Sequence, residues 1–148
     1  MAKKQFVYRY PMPAVTADMV AISRERPYRV LLIKRKRPPF QGKWAIPGGF
    51  IEIDEDLEAA ARREFQEETG LSAGRVQQVH TFGDPNRDPR GRTISVVFIT
   101  RLGARNARPR AADDASDVAW HALGDLPNLA FDHTRILAFV RRWLHRSR

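Results

Sequence analysis

Between residues 49 and 74 this chain carries eight acidic side chains and two basic ones, although its formal net charge is +9. Within that stretch Asp54–Thr69 has helical spacing, with Leu57, Ala61 and Phe65 recurring on one buried face. At about 100° per residue, Glu64, Glu67 and Glu68 share one arc of that helix. Glu68 projects within the apolar stripe and Glu64 lies at its edge. Carboxylates placed side by side and partly facing a core repel one another and lose hydration. A solvated acidic face is the plainer reading of a charge cluster. This spacing instead favours a divalent cation with oxygen ligands, Mg²⁺ or Mn²⁺.

The helix has punctuation at both ends. Asp54 is the expected N-cap, Glu55 and Asp56 suit the positive end of the helix, and Gly70 is the expected terminating glycine. Arg63 is placed to make a charge-assisted bond to Glu55 or a neighbouring carboxylate; the alternative is an exposed helix ion pair. Pro47-Gly48-Gly49 should stop the chain just before the helix, where a backbone carbonyl could reach a bound cation.

Around this helix the sequence reads mostly as strands. Ala14–Ile22 alternates loosely, and Tyr28–Ile33 is a short apolar run typical of a buried strand. Trp44–Ile46, Val76–Phe82, Thr93–Arg101 and Val118–Ala122 are further strand candidates. Arg37–Lys43, Gly83–Arg92 and Asn106–Ala112 read as loops. Asp132–His145 reads as a closing amphipathic helix, with Ile136, Phe139, Val140 and Trp143 on one face. A length of 148 residues suits a single domain with a sizeable core. The pattern predicts an α/β fold, a sheet covered by helices.

Composition closes several routes. There is no cysteine, which excludes a disulfide scaffold, a thiolate metal site and a cysteine nucleophile. No apolar run reaches a membrane span and no secretory signal is visible, so the expected location is the cytoplasm. The basic excess points to an anionic partner. It is distributed in blocks: residues 1–48, 75–112 and 133–148 carry +9, +6 and +5, and residues 49–74 and 113–132 carry −6 and −5. Basic segments flanking an acidic block of metal-ligand spacing suit a metal with a small anionic molecule better than a nucleic-acid surface.

Gly49–Leu71, GFIEIDEDLEAAARREFQEETGL, resembles the Nudix box, Gly-x5-Glu-x7-Arg-Glu-U-x-Glu-Glu-x-Gly-U. Gly49, Glu55, Arg63, Glu64, Glu67, Glu68 and Gly70 fill its fixed positions, and Phe65 and Leu71 its apolar ones. The resemblance implies an α/β/α sandwich with a mixed sheet. It implies that Glu64, Glu67 and Glu68 ligate Mg²⁺ or Mn²⁺ with help from the Gly49 carbonyl, and that Glu55 and Arg63 orient them. It also implies hydrolysis of a nucleoside diphosphate linked to another group.

The later sequence is similar to ADP-ribose pyrophosphatases within that family. Pro85 lies 15 residues after Gly70, and LAFDH, Leu129–His133, and the early YPMPAVTADMV also resemble that branch. ADP-ribose, cut to AMP and ribose 5-phosphate, is the expected substrate. The alternatives are an oxidised nucleoside triphosphate, the 5′ end of RNA, or a module that binds nucleotide or nucleic acid without hydrolysis. A homodimer is implied by the resemblance alone. The general base varies in the family. Glu68 on the box helix and Asp113, Asp114 and Asp117 beyond it are candidates, and Asp114 is preferred among the later three. Arg35 or Lys36, Arg87, Arg90 and Arg92 are candidate phosphate ligands. Phe40 and Trp44 could stack on a base but suit packing better. His133 reads as a helix-start residue beside Asp132.

Overall fold

The computed structural model describes residues 3–112 and 114–147. Its elements are β1 (Ala14–Ser23), β2 (Arg29–Arg35), β3 (Trp44–Ala45), β4 (Gly48–Phe50), α1 (Leu57–Thr69), β5 (Val76–Phe82), β6 (Thr93–Leu102), β7 (Ala115–Ala122) and α2 (His133–Arg146). Seven strands form one sheet in the order β3-β2-β1-β6-β5, with β4 added to β1 and β7 to β2. β1 and β6 run parallel from Ala14 opposite Thr93 to Ser23 opposite Leu102. The other strand pairs are antiparallel, so the sheet is mixed.

Alternation along the strands divides the core into two layers. Ala17, Met19 and Ala21 of β1, with Val96 and Phe98 of β6, pack against Ala60, Ala61 and Phe65 of α1. Val20 and Ile22 of β1, with Val97 and Ile99 of β6, pack against Ile136, Leu137, Val140 and Leu144 of α2. A helix therefore covers each face, as in the expected α/β/α sandwich. β1 is buried on both faces, which explains why its sequence alternates only loosely. Among the described residues no helix is long and apolar enough to cross a membrane.

Four local expectations need correction. The helix begins at Leu57 with Asp56 at the N-cap position, so Asp54 lies outside it; the Asp56 side chain makes no capping bond. Pro47-Gly48-Gly49 does not end the strand region. Gly48 and Gly49 enter β4 and pair with Asp18 and Ala17, because glycine permits the close approach. β7 starts at Ala115 rather than Val118, since antiparallel pairing with β2 extends to Arg35. In α2 the buried residues include Leu137 and Leu144, and Phe139 and Trp143 pack partly buried at the rim of the core.

One feature of the topology makes room for a site. β1 and β2 pair only at Ile22 and Val30. Beyond that point β1 turns its edge to β4 and β2 turns its edge to β3, while β7 runs along the other edge of β2 from Arg29 to Arg35. The sheet parts between these two groups of strands.

Candidate active site

A cavity occupies the parting. Thr16 and Asp18 of β1, Ile33 and Arg35 of β2 and Gly48 and Gly49 of β4 line its walls, and Glu68 of α1 reaches it from the other layer. Asp88 and Arg90 come from the β5–β6 loop, and Phe131 and His133 from the entry to α2. A second cleft adjoins it, lined by Arg37, Glu64, Glu67, Glu68 and Asp114. Glu68 is common to both.

Helical spacing places the three glutamates together, but their exposure differs. Glu68 is 8% exposed, whereas the side chains of Glu64 and Glu67 are 17% and 45% exposed. Arg63 organises them. Its Nε and one terminal nitrogen donate to Glu55 at 2.6 and 2.8 Å. The other terminal nitrogen donates to Glu64 at 2.8 Å and Glu67 at 3.2 Å. A further bond to the Phe50 carbonyl ties the same guanidinium to β4. Hydrogen bonds from Arg63 hold the Glu55 carboxyl below its usual range, and Glu55 in turn raises Arg63. With five hydrogen bonds to four residues, Arg63 is far from an exposed pair of small value.

Glu68 is strained in the charged form. Burial, then the neighbouring Glu64 carboxylate, push its carboxyl well above the ordinary value. Asp18 adds to this charge, and burial raises its own carboxyl to about 6 despite a bond from the Ser95 hydroxyl. Gly49 presses against Glu64 of the same cluster: a Cβ added there would lie 2.6 Å from the Glu64 carboxyl carbon. Among the described residues no three acidic or imidazole groups converge as a finished metal cage. Arg63 draws Glu64 and Glu67 toward itself. The donor chemistry nonetheless fits a hard divalent cation: crowded carboxylates, one buried, beside a backbone with no side chain in the way.

The candidate phosphate ligands separate. Arg35 faces the cavity, and its Nε donates to the Pro39 carbonyl at 2.7 Å. Burial and then nearby Arg90 lower its pKa, so its charge favours an added anion. Among the described residues it has no ion-pair partner within 4.0 Å. Arg90 lies over Phe50 and Phe131 at 4.6 and 4.9 Å and pairs with Asp88. Burial opposes ionisation of Asp88, but the bonds from Arg90 outweigh it and keep its carboxyl low. Arg87 lines the cavity but is held in a two-pronged pair with Asp132, at 2.9 and 2.6 Å. Arg92 is not brought to the cavity; it donates to the Gly83 carbonyl. Lys36 likewise does not line it.

Among the later acids, Asp114 reaches the acidic cleft and lies 3.4 Å from Arg37. Asp117 sits in β7 and caps its neighbour's amide, and Asp113 lies outside the described residues. Phe40 packs on Phe131, and Trp44 on His121. Sequence reasoning missed Asp18, Ser95 and Asp88. It read His133 only as a helix-start residue, whereas this side chain is 5% exposed and lines the cavity. The available signal was one charged residue, Asp18, inside an otherwise uncharged, mostly apolar strand.

The NUDIX domain pattern matches residues 12–143. The chain is 42% identical to the ADP-ribose pyrophosphatase of Methanocaldococcus jannaschii over 144 residues, covering 95% of this chain and 82% of that protein. It is 34% identical over 139 residues to the ADPR responsive transcriptional repressor NtrR of Acinetobacter baylyi, covering 89% of this chain and only 55% of the repressor. It also resembles the solved NUDIX domain of Shewanella oneidensis NrtR complexed with ADP ribose. That likeness has a TM-score of 0.83 at 31% identity and covers 91% and 90% of the two chains. Match, sheet topology and box helix agree: the chain belongs to the Nudix family and is a Nudix hydrolase.

Proposed function

We propose that this hydrolase cleaves the pyrophosphate bond of ADP-ribose to give AMP and ribose 5-phosphate. The observation that carries this reading is the junction at Glu68 between an acidic cleft and a partly enclosed polar cavity. A diphosphate has one reacting bond and two organic ends, so it needs a charge-neutralising centre beside a pocket. Similarity to the ADP-ribose pyrophosphatase of Methanocaldococcus jannaschii and to the NrtR domain complexed with ADP ribose supports the choice of substrate.

Glu64, Glu67, Glu68 and the Gly49 carbonyl would hold Mg²⁺ or Mn²⁺. When bound, such an ion neutralises pyrophosphate charge and lowers the pKa of bound water. Glu55 and Arg63 position the carboxylates. Arg35 binds a phosphate, and Arg90 supports the same wall of the cavity. Arg87 and Arg92 act indirectly, since Asp132 and Gly83 already take their donors. Water adds to one phosphorus, and the bridging P–O bond breaks. Asp114, across the cleft from Glu64 and Glu67, accepts the proton of the attacking water.

The expected result with Mg²⁺ is AMP and ribose 5-phosphate from ADP-ribose, at a higher kcat/KM than any nucleoside triphosphate. Predominant release of inorganic pyrophosphate from triphosphates would replace this reading with triphosphate hydrolysis. The similarity to a repressor favours one second reading, ADP-ribose sensing. Tight binding of intact ADP-ribose without turnover would select it.

A further inference from the structure

His133 does more than begin α2. Its Nδ1 accepts the Ile46 backbone N–H at 3.0 Å. A backbone N–H only donates, so Nδ1 carries a lone pair and the ring proton of the neutral imidazole resides on Nε2. Burial holds the group neutral, lowering its pKa to about 3. No protein acceptor bonds Nε2 among the described residues. The sealed side-chain polar atoms without partners are Trp120 Nε1 and His121 Nε2, so His133 Nε2 remains open to the cavity that the ring lines. A neutral, fixed N–H donor thus faces the space beside the pyrophosphate centre.

The rest of that wall indicates what the donor meets. Asp18, 6% exposed, lines the same cavity and uses Oδ2 to accept the Ser95 hydroxyl. Arg87 and Arg90 are paired with Asp132 and Asp88, so among the described residues the unpaired cation of this cavity is Arg35, which takes the phosphate. A phosphate oxygen would gain no ionic attraction from a neutral imidazole and would be repelled by Asp18. A hydroxyl both gives and receives a hydrogen bond, which suits a wall where a neutral donor, His133, and an acceptor, Asp18, are both present.

We propose that His133 Nε2–H, set by the Ile46 amide, hydrogen-bonds a ribose hydroxyl of the substrate, with Asp18 as the acceptor side of the same subsite. The role is substrate selection, and it rests on the ADP-ribose reading above. It makes the part of the cavity at His133 and Asp18 a pentose subsite, beside the phosphate held by Arg35. Losing one hydroxyl should then leave a buried donor unpaired, a penalty that sites of this kind convert into discrimination.

The test compares ADP-ribose with its mono-deoxy analogues, each lacking one hydroxyl of either ribose, in wild type and His133→Asn. Asparagine keeps an acceptor for the Ile46 amide but lacks the distal donor. The wild type should show a KM higher by about 10- to 100-fold for at least one analogue. His133→Asn should raise KM for ADP-ribose and reduce that ratio to within about threefold of unity, since one bond cannot be lost twice. A ratio unchanged in the variant, or a wild type indifferent to every hydroxyl, overturns the assignment while leaving ADP-ribose hydrolysis intact. Failure of the wild type to hydrolyse ADP-ribose overturns the proposed function itself. A second measurement needs no variant: imidazole ¹⁵N signals of the wild type titrated with the α,β-methylene analogue of ADP-ribose. The proton should be on Nε2, and that signal should move on binding. A proton on Nδ1, or an unmoved Nε2, contradicts the proposal.

Discussion

Asp18 and His133 titrate in opposite senses within one cavity. Burial keeps the Asp18 carboxyl protonated up to about 6, whereas an exposed aspartate titrates near 3.8. Between those values the folded state holds the extra proton, so this contribution to stability falls as pH rises from about 4 to 6. His133, lowered to about 3 from 6.5, does the reverse: its contribution is present above 6.5 and falls as pH drops toward 3. In metal-free protein, Asp18→Asn removes the first slope and leaves the second. Urea unfolding should therefore show the wild type losing stability relative to Asp18→Asn as pH rises from about 4 to 6. A difference independent of pH would contradict the burial of Asp18. At this scale the sequence was informative where partners are close in the chain. Glu64, Glu67 and Glu68 lie on one helical arc, and Arg63 reaches Glu55 within eight residues. Asp18 and Ser95 meet across 77 residues, and Ile46 and His133 across 87, so no local spacing announces either pair.

β4 is the element that most depends on its residue types. Gly48 and Gly49 bring a backbone strand against both β1 and α1, and the first of them faces main chain. A Cβ added to Gly48 would lie 2.7 Å from the Ala17 carbonyl oxygen, where no side-chain rotation gives relief. Gly48→Ala should therefore cost about 3 kcal/mol of stability, read as a lower urea midpoint. An unaltered midpoint would show that β4 is not held as described. The glycines were legible as a permissive turn, but not as a strand, because β4 gains its partner only once β1 is in place. The same cause explains β7. Its first residues resemble an acidic loop, and pairing with β2 draws Ala115–Asp117 into the sheet. α1 was easier: Gly70, with φ 73°, donates its N–H to Gln66 and ends the helix where the sequence indicates.

Across the whole molecule, the two apolar layers and the mixed sheet follow from strand alternation and the two helices, which is why the architecture was readable. The parting between β1 and β2 was not, since it depends on which strand each edge selects. Charge acts over the same long range. A formal +9 should draw an anionic diphosphate toward the site, so kcat/KM for ADP-ribose should fall as salt rises from about 0.05 to 0.5 M, where the Debye length shortens from over 10 Å to about 4 Å. A salt-independent kcat/KM would assign the basic excess to something other than substrate capture. The central claim is that the box-helix carboxylates perform pyrophosphate hydrolysis, and Glu67→Gln tests it most directly because this half-exposed side chain can change without disturbing the core. AMP release from ADP-ribose with Mg²⁺ is measured for wild type and variant, alongside their unfolding midpoints. The expected result is a rate lower by about 100-fold or more in the variant with an unchanged midpoint. Equal turnover by the two proteins would contradict it.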